Sequence, residues 1–300
     1  MQILWGTLIF CIVLFIYVHV YHHLRTSDDL EIYEIDSCSK EQLEDLCDLR
    51  QPVLFKFFDE DLYRNFTRRK LIEDYGAFDV KIRDVTIKPS GETELFMPIS
   101  LNGLMDSLSN KDERKYLTEC NEEFIEETGL IKVLKSSDMF LRPGNLARGV
   151  YDLCIGGDEV TTPLRYDINY RNYILVTEGE IKLMLSPPKS GKYLFKDLDY
   201  ENLEFRSPIN PWMVQEHYKH DFDKVKCLEL TVKKGDIIYI PAYWWYSIKY
   251  LDNSTCIKFK YTTYMNFVAI IPELCMNLLQ NQNIKRVIAP QLELNNYKTK

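Results

Sequence analysis

Residues 161–167 read TTPLRYD, a small-residue turn and a proline followed by Arg165 and Asp167 two positions apart. Side chains alternate along an extended strand, so both would point to one face. With a histidine in place of Arg165, the pair would supply two metal donors from one strand. Arginine reverses that chemistry, because a guanidinium has no lone pair and stays protonated in proteins. At a dielectric of about 20 and about 4 Å separation, its repulsion of a divalent ion is on the order of 8 kcal/mol.

Other chemistry-bearing residues are sparse. Glu216, His217 and His220 could chelate from one helix face, but they lie in a polar, proline-bounded insertion and are expected to be solvated. Cys11, Cys38, Cys47, Cys120, Cys154, Cys227, Cys256 and Cys275 form no C-x-x-C and have no zinc spacing. They read as reduced, mostly buried thiols, with Cys38 and Cys47 the candidate disulfide pair. Neither a Ser/His/Asp arrangement nor a glycine-rich phosphate loop is readable.

The elements that must position these residues are clearer. Three hundred residues at 46% hydrophobic and 13% aromatic can bury one sizeable core with a small satellite region. A net charge of −8 without a basic block argues against a nucleic-acid surface. Ile3 to Val20 carry no Asp, Glu, Lys or Arg; as a helix they would rise roughly 27 Å, close to the hydrocarbon thickness of a bilayer. An uncharged n-region and a bulky exit at Tyr21, His22, His23 and Leu24 favour an uncleaved anchor over a cleaved signal peptide. The lipid bilayer is thus an expected partner through residues 3–20, and a protein partner is possible as well. The side on which the folded part lies is not legible, and the sequons at Asn65 and Asn253 are formal glycosylation sites only.

Residues 28–48 hold nine acidic side chains and one lysine. Within this segment SKEQLEDLCDL (39–49) patterns as a short amphipathic helix capped by Ser39. RQPVLFKFF (50–58) reads as a buried strand and residues 60–75 as a helix. KIRDVTIKP and ELFMPISL read as strands around a turn at Ser90–Gly91, and residues 102–130 as a polar helical stretch closed by Gly129. Beyond Gly129 the chain becomes short β-branched and aromatic strands: MFLR, YDLCIGG, TPLRYD, NYILVTEGEIKLMLSPP, CLELTVKKGDIIYIP, WWYSIKYL and CIKFKYTTYM. Met265 to Gln282 returns to helical spacing before a polar tail.

The order TPLRYD, Asn172, EGEIKLMLSPP, GDIIYIPAYWW resembles the jumonji-C and cupin-like 2-oxoglutarate oxygenases, over residues 140–262 most closely. Their pattern is a T-P-x-H-x-D strand, an Asn, a Gly-x-Lys strand running into prolines, and G-D-x-x-x-x-P-x-x-W-W-H. The resemblance implies a mainly β fold with flanking helices, a double-stranded β-helix or jelly-roll/cupin-like barrel, which the apolar segment read above would precede as one transmembrane helix. The expected divisions are an anchor (1–24), an acidic juxtamembrane segment (25–49), a JmjC/cupin-like domain (50–265, barrel core 140–262) and a helical tail (266–300). Residue usage rich in Asn, Lys, Ile and Tyr is also similar to that of cupin-like proteins of large DNA viruses.

In active members the resemblance implies Fe(II) held by two histidines and a carboxylate, with 2-oxoglutarate beside it. Carried over, those ligands fall on Arg165, Asp167 and Tyr246, so Asp167 is the one inherited donor. A tyrosine ligates as phenolate, and its ordinary pKa is about 10. The family's co-substrate lysine falls on Ile181, while neighbouring Lys182 would face the other way. Thr162 and Asn172 match polar pocket positions. Lys258 could receive an anion, although a solvated, outward lysine is the expected state. Arg165 is expected to fill the metal position and pair with Asp167, with Tyr246 hydrogen-bonding to one of them.

Three functions follow. The favoured one is a membrane-anchored pseudoenzyme with a binding or structural role and no cofactor. The second is a working Fe(II)/2-oxoglutarate-dependent protein hydroxylase or demethylase-like oxygenase with an atypical metal site. The third is a small-molecule or glycan binder at an aromatic mouth of Tyr166, Tyr243, Trp244 and Tyr246.

Overall fold

The computed structural model describes residues 2–85, 96–109 and 116–282. The expected Ser90–Gly91 turn and the polar tail from residue 283 lie outside them. Helix α1 (Gln2–Leu24) opens the chain. Residues Ile3–Leu24 make it long and apolar enough to cross a membrane, and the rest of the chain leaves its most apolar window uncovered. There follow β1 (Tyr33–Ile35), α2 (Lys40–Asp48), β2 (Val53–Lys56), α3 (Glu60–Asn65), α4 (Arg68–Tyr75), β3 (Asp79–Asp84), β4 (Met97–Ser100) and α5 (Leu101–Ser109). Next come β5 (Tyr116–Thr118), α6 (Glu122–Glu127), α7 (Ile131–Ser137), β6 (Leu146–Gly156), β7 (Arg165–Tyr166), β8 (Arg171–Ser186), β9 (Asp197–Asp199) and β10 (Glu204–Arg206). The described residues close with α8 (Lys219–Phe222), β11 (Leu228–Lys233), β12 (Asp236–Pro241), β13 (Trp245–Thr263), α9 (Tyr264–Ala269) and α10 (Ile271–Gln282).

The strands join in the order β1-β2-β12-β8-β13-β6-β5-β3-β4, with β11 on β8 and β7–β10–β9 on β13. Two long strands make the sheet fold over on itself. The first half of β8 pairs with β12 and its second half with β11. Its bend is at Gly179, whose φ of +74° is open to glycine at little cost. The register of β13 against β8 shifts between Leu251 and Thr255, where Asp252 and Asn253 also take positive φ.

The inward parity of β8 switches at the bend. Ile174 and Val176 before it and Ile181, Leu183 and Leu185 after it all pack in one interior cluster with Ile238, Trp244, Tyr246 and Ile248. The opposite face of the first half carries Tyr173, Leu175, Tyr239, Ile257 and Phe259, packed against residues of α2 to α7 such as Leu43, Leu62, Leu71, Phe124 and Leu134. The first half of β8 and the part of β13 paired with it are therefore covered on both faces, which buries Arg171 and Lys258.

Several expected elements changed. Residues 102–130 are not one helical stretch: Tyr116–Thr118 forms β5, pairing with β3 and β6. Here the Tyr-Leu-Thr run follows sheet pairing against the polar surroundings. MFLR does not form a strand, since Asp138–Phe140 is a 3₁₀ turn. WWYSIKYL and CIKFKYTTYM run on as a single strand, β13. Residues 60–75 break into two helices, with Thr67 capping the second. Ser39 caps α2 in a full capping box with Gln42, and that helix buries Leu43 and Cys47. Cys38 and Cys47 are free thiols, with Cys47 Sγ lying 3.5 Å from the Tyr173 hydroxyl.

A Cβ on Gly179 would meet Ser254 Cβ at 2.8 Å, whereas one on Gly144 meets nothing within 4 Å. Gly179→Ala should cost about 2 kcal/mol, lowering the thermal midpoint by roughly 4–8 °C, while Gly144→Ala should leave it near the native value. Thermal unfolding of the purified full chain followed by circular dichroism checks both.

Candidate functional site

The two motif segments meet because their backbones pair. Thr162 N–H donates to Ile248 O at 2.8 Å, and Ile248 N–H donates to Thr162 Oγ1 at 2.9 Å. Arg165 then lies opposite Tyr246 in the β7–β13 register. Tyr243, held at φ +66°, gives its N–H to the Asp167 carbonyl at 2.9 Å. Arg165, Asp167 and Tyr246 are thus brought to one place by main-chain geometry.

Arg165 does not pair with Asp167, contrary to expectation. Its guanidinium makes a forked ion pair with Glu119, Nη1 to Oε1 at 3.0 Å and Nη2 to Oε2, and reaches Glu204 at 3.4 Å. Arg83 on β3 donates to the same two carboxylates, at 3.0 Å to Glu119 and 2.7 Å to Glu204. Lys258 Nζ lies 3.4 Å from Glu119 Oε2. Three cations therefore surround Glu119, which is 1% exposed. Its position comes from the turn after β5. There Asp152 accepts the N–H groups of Cys120 (3.0 Å) and Asn121 (2.8 Å), with Cys120 at φ +64°.

Asp167 is engaged separately. Lys260 Nζ donates to Oδ1 at 2.7 Å and the Tyr246 hydroxyl to Oδ2 at 2.8 Å. Glu119, reaching in from the turn after β5, meets the guanidinium fork with both oxygens, and Glu204 on β10 adds a single contact to Nη1.

The electrostatics favour keeping these charges. Burial pushes the Glu119 carboxyl up, but Arg165, Lys258 and Arg83 outweigh it and hold it well below the usual carboxylate range. Burial raises Asp167 too, and Lys260 with Arg165 more than reverses that. Burial and the adjacent Asp167 raise the Tyr246 phenol, which opposes the phenolate needed for ligation. A ferrous ion does not fit this set: one ligand position is a guanidinium, another a neutral phenol, and both oxygens of Asp167 are already occupied.

The other expected residues are placed as follows. Lys258 is not solvated but 3% exposed, because β13 is covered on both faces. The anion it meets is the chain's own Glu119. Thr162 spends its hydroxyl on Ile248 N–H and its carbonyl on the Ser247 hydroxyl, so it holds strands together. Asn172 donates to Asn169 O and Ile240 O, leaving its Oδ1 buried without a partner among the described residues. Ile181 packs in the interior, while Lys182 pairs outside with Glu229 at 3.2 Å. His217 and His220 are exposed. The Asn65 side chain donates to Asp61 O, and Asn253 accepts from Asp158 N–H. Ser254 and Thr255 of the second sequon are fully buried. Of the expected aromatic mouth, Trp244 and Tyr246 are buried, and so is the neighbouring Trp245. Tyr166, Tyr243 and Trp245 line a cavity of about 220 Å³ with Lys196, Pro188, Leu24 and Thr26.

Glu119, Arg83, Glu204 and Lys260 were missed from sequence. Glu119 was hidden in a stretch read as helix. Lys258 and Lys260, two apart on a strand running between fully apolar neighbours, were the available signal for buried acidic partners.

A fold-over sheet with helices on one face and a motif site at the crossing of β7 and β13 defines a cupin-like domain. Residues 40–267, more than half of the chain, match the Cupin-like domain family, and the chain belongs to that family. It is also similar to the protein named lysine-specific demethylase JMJ32 of Arabidopsis thaliana, at 27% identity over 32% of this chain and 36% of that protein. A second relative is HSPB1-associated protein 1 of Homo sapiens, at 27% identity over 44% of this chain and 27% of that protein. The chain thus spans about a third of the length of each relative, or less.

A carboxyl with a depressed folded pKa contributes stability that is complete above its unfolded value, about 4, and lost as pH falls through the folded value beneath it. Glu119, Glu204 and Asp167 all shift this way. Their share of the stability should therefore be level from about pH 5 to 7 and fall below about pH 4. Glu119→Gln should cost about 3–5 kcal/mol at neutral pH and flatten the acid limb. Adding Lys258→Met to it should recover part of the loss; urea denaturation across pH measures all three proteins.

Proposed function

We propose that this chain is a membrane-anchored cupin-like protein that has set aside Fe(II)/2-oxoglutarate chemistry and acts by binding or as a structural part. The observation that carries this reading is Arg165, locked onto Glu119 at the position where the family resemblance calls for the first histidine ligand. The occupied oxygens of Asp167 and the neutral Tyr246 support it from the other two ligand positions. Lys258, the candidate anchor for a co-substrate carboxylate, already has Glu119 as its anion. The anchor part of the reading rests on α1, long and apolar enough to span a bilayer.

Small-ligand binding is a second reading, favoured by the aromatic cavity of Tyr166, Tyr243 and Trp245 with its single Lys196. A demethylase reading has one relative's name behind it, and the donor set stands against it as it does against a protein hydroxylase.

Purified full chain supplied with Fe(II) and 2-oxoglutarate should show neither stoichiometric iron nor succinate release. Arg165→His combined with Tyr246→His removes the fixed cation and adds two imidazoles to Asp167, and should raise metal affinity at least roughly ten-fold. Stoichiometric iron and turnover in the unaltered protein would sink the proposal.

A further inference from the structure

Helices α9 and α10 are built inside out. Between Tyr264 and Gln282 the one charged residue is Glu273. Glu273, Asn277 and Gln280 fall on one helical face, and that polar face turns toward the domain. Asn277 donates to the carbonyls of Tyr200 (2.6 Å) and Glu201 (3.0 Å), and Leu274 packs with Ile168, Phe205 and Ile270. The outward side is apolar: Phe267, Val268, Ile271, Met276, Leu278 and Leu279 are between 36% and 63% exposed. A helix facing water presents the opposite arrangement.

The position of these helices says what covers that side. The start of α9 is fixed to the end of α1. His23 Nδ1 lies 2.9 Å from the His19 carbonyl, which can only accept, so Nδ1 carries the proton and Nε2 is free to accept. Nε2 meets the Thr263 hydroxyl at 3.1 Å, and Thr263 is the residue that caps α9 by accepting Asn266 N–H. The His23 ring also packs on Tyr170, with centroids 4.9 Å apart. The uncovered apolar surface of α1 and the apolar side of α9 and α10 thus meet at one corner of the domain.

We propose that α9 and α10 lie in the interface of the bilayer that α1 crosses, their apolar side sunk among the acyl chains. The domain is then seated on the membrane by two elements and presents one fixed face to lipid. This rests on the reading of α1 as an anchor, and the test separates the two. The full chain is reconstituted in phosphatidylcholine vesicles containing a phosphatidylcholine with a diazirine-bearing acyl chain, irradiated, and mapped by peptide mass spectrometry. Label is expected in both 3–24 and 264–282. Leu278→Glu with Leu279→Glu should lower the second label by ~10-fold or more, given the apolar burial two leucines lose, and leave the first unchanged. Label confined to 3–24 overturns the proposal and spares the anchor; label in neither segment overturns the anchor reading and the proposal with it. Protection of 264–282, with crosslinks joining two copies through α10, would assign the face to a second copy and also overturn it.

Discussion

A single buried carboxylate sets the terms for the rest of this site. Glu119 is enclosed by Arg83, Arg165 and Lys258, which come from three different strands, with Glu204 sharing two of the three cations. Taking such charges out of water costs several kcal/mol per ion, and mutual attraction repays that only with close, well-directed contacts. The arrangement hinges on Glu119: lose it and Lys258 is left buried without the carboxylate it meets, while Arg83 and Arg165 keep only Glu204 among the described carboxylates. An apolar cluster of equal volume would serve stability at least as well, so these charges mark where the interior has been committed to polar groups.

That commitment depends on how the sheet folds over. The bend at Gly179 and the register shift after Leu251 bring the second halves of β8 and β13 across the first halves, so β7 faces β5 and β3 over the interior. The family resemblance implies that metal ligands would be gathered at this same place from separate strands. Here the crossing gathers a guanidinium and carboxylates instead. On the proposed reading, a permanent side-chain cation does the electrostatic work of a removable one, and the enclosed polar cluster no longer has open positions for a reactant.

Much of the frame could be read from residues. TPLRYD, LSPP and GDIIYIPAYWW located β7, β8, β12 and the start of β13, and the Ser39 cap located α2. Charge partners could not be read in the same way. Arg165 and Glu119 are 46 residues apart, and Glu119 lies in a polar stretch whose three-residue strand is set by pairing with β3 and β6, not by local preference. The expected Arg165–Asp167 pair followed from spacing on one strand, while the actual partners follow from tertiary reach. Lys258 was misread for a related reason. Lysine is ordinarily exposed, but at Lys258 helices cover one face of β13 and the fold-over covers the other, so neither face there opens to water.

The most direct measurement is a crystal of the unaltered protein soaked anaerobically with Mn(II), as a stand-in for Fe(II), and 2-oxoglutarate, with anomalous differences collected on the metal. The account predicts no anomalous peak beside Asp167 and a guanidinium of Arg165 still forked onto Glu119. A metal peak coordinated by Asp167, with Arg165 swung away from Glu119, would contradict it.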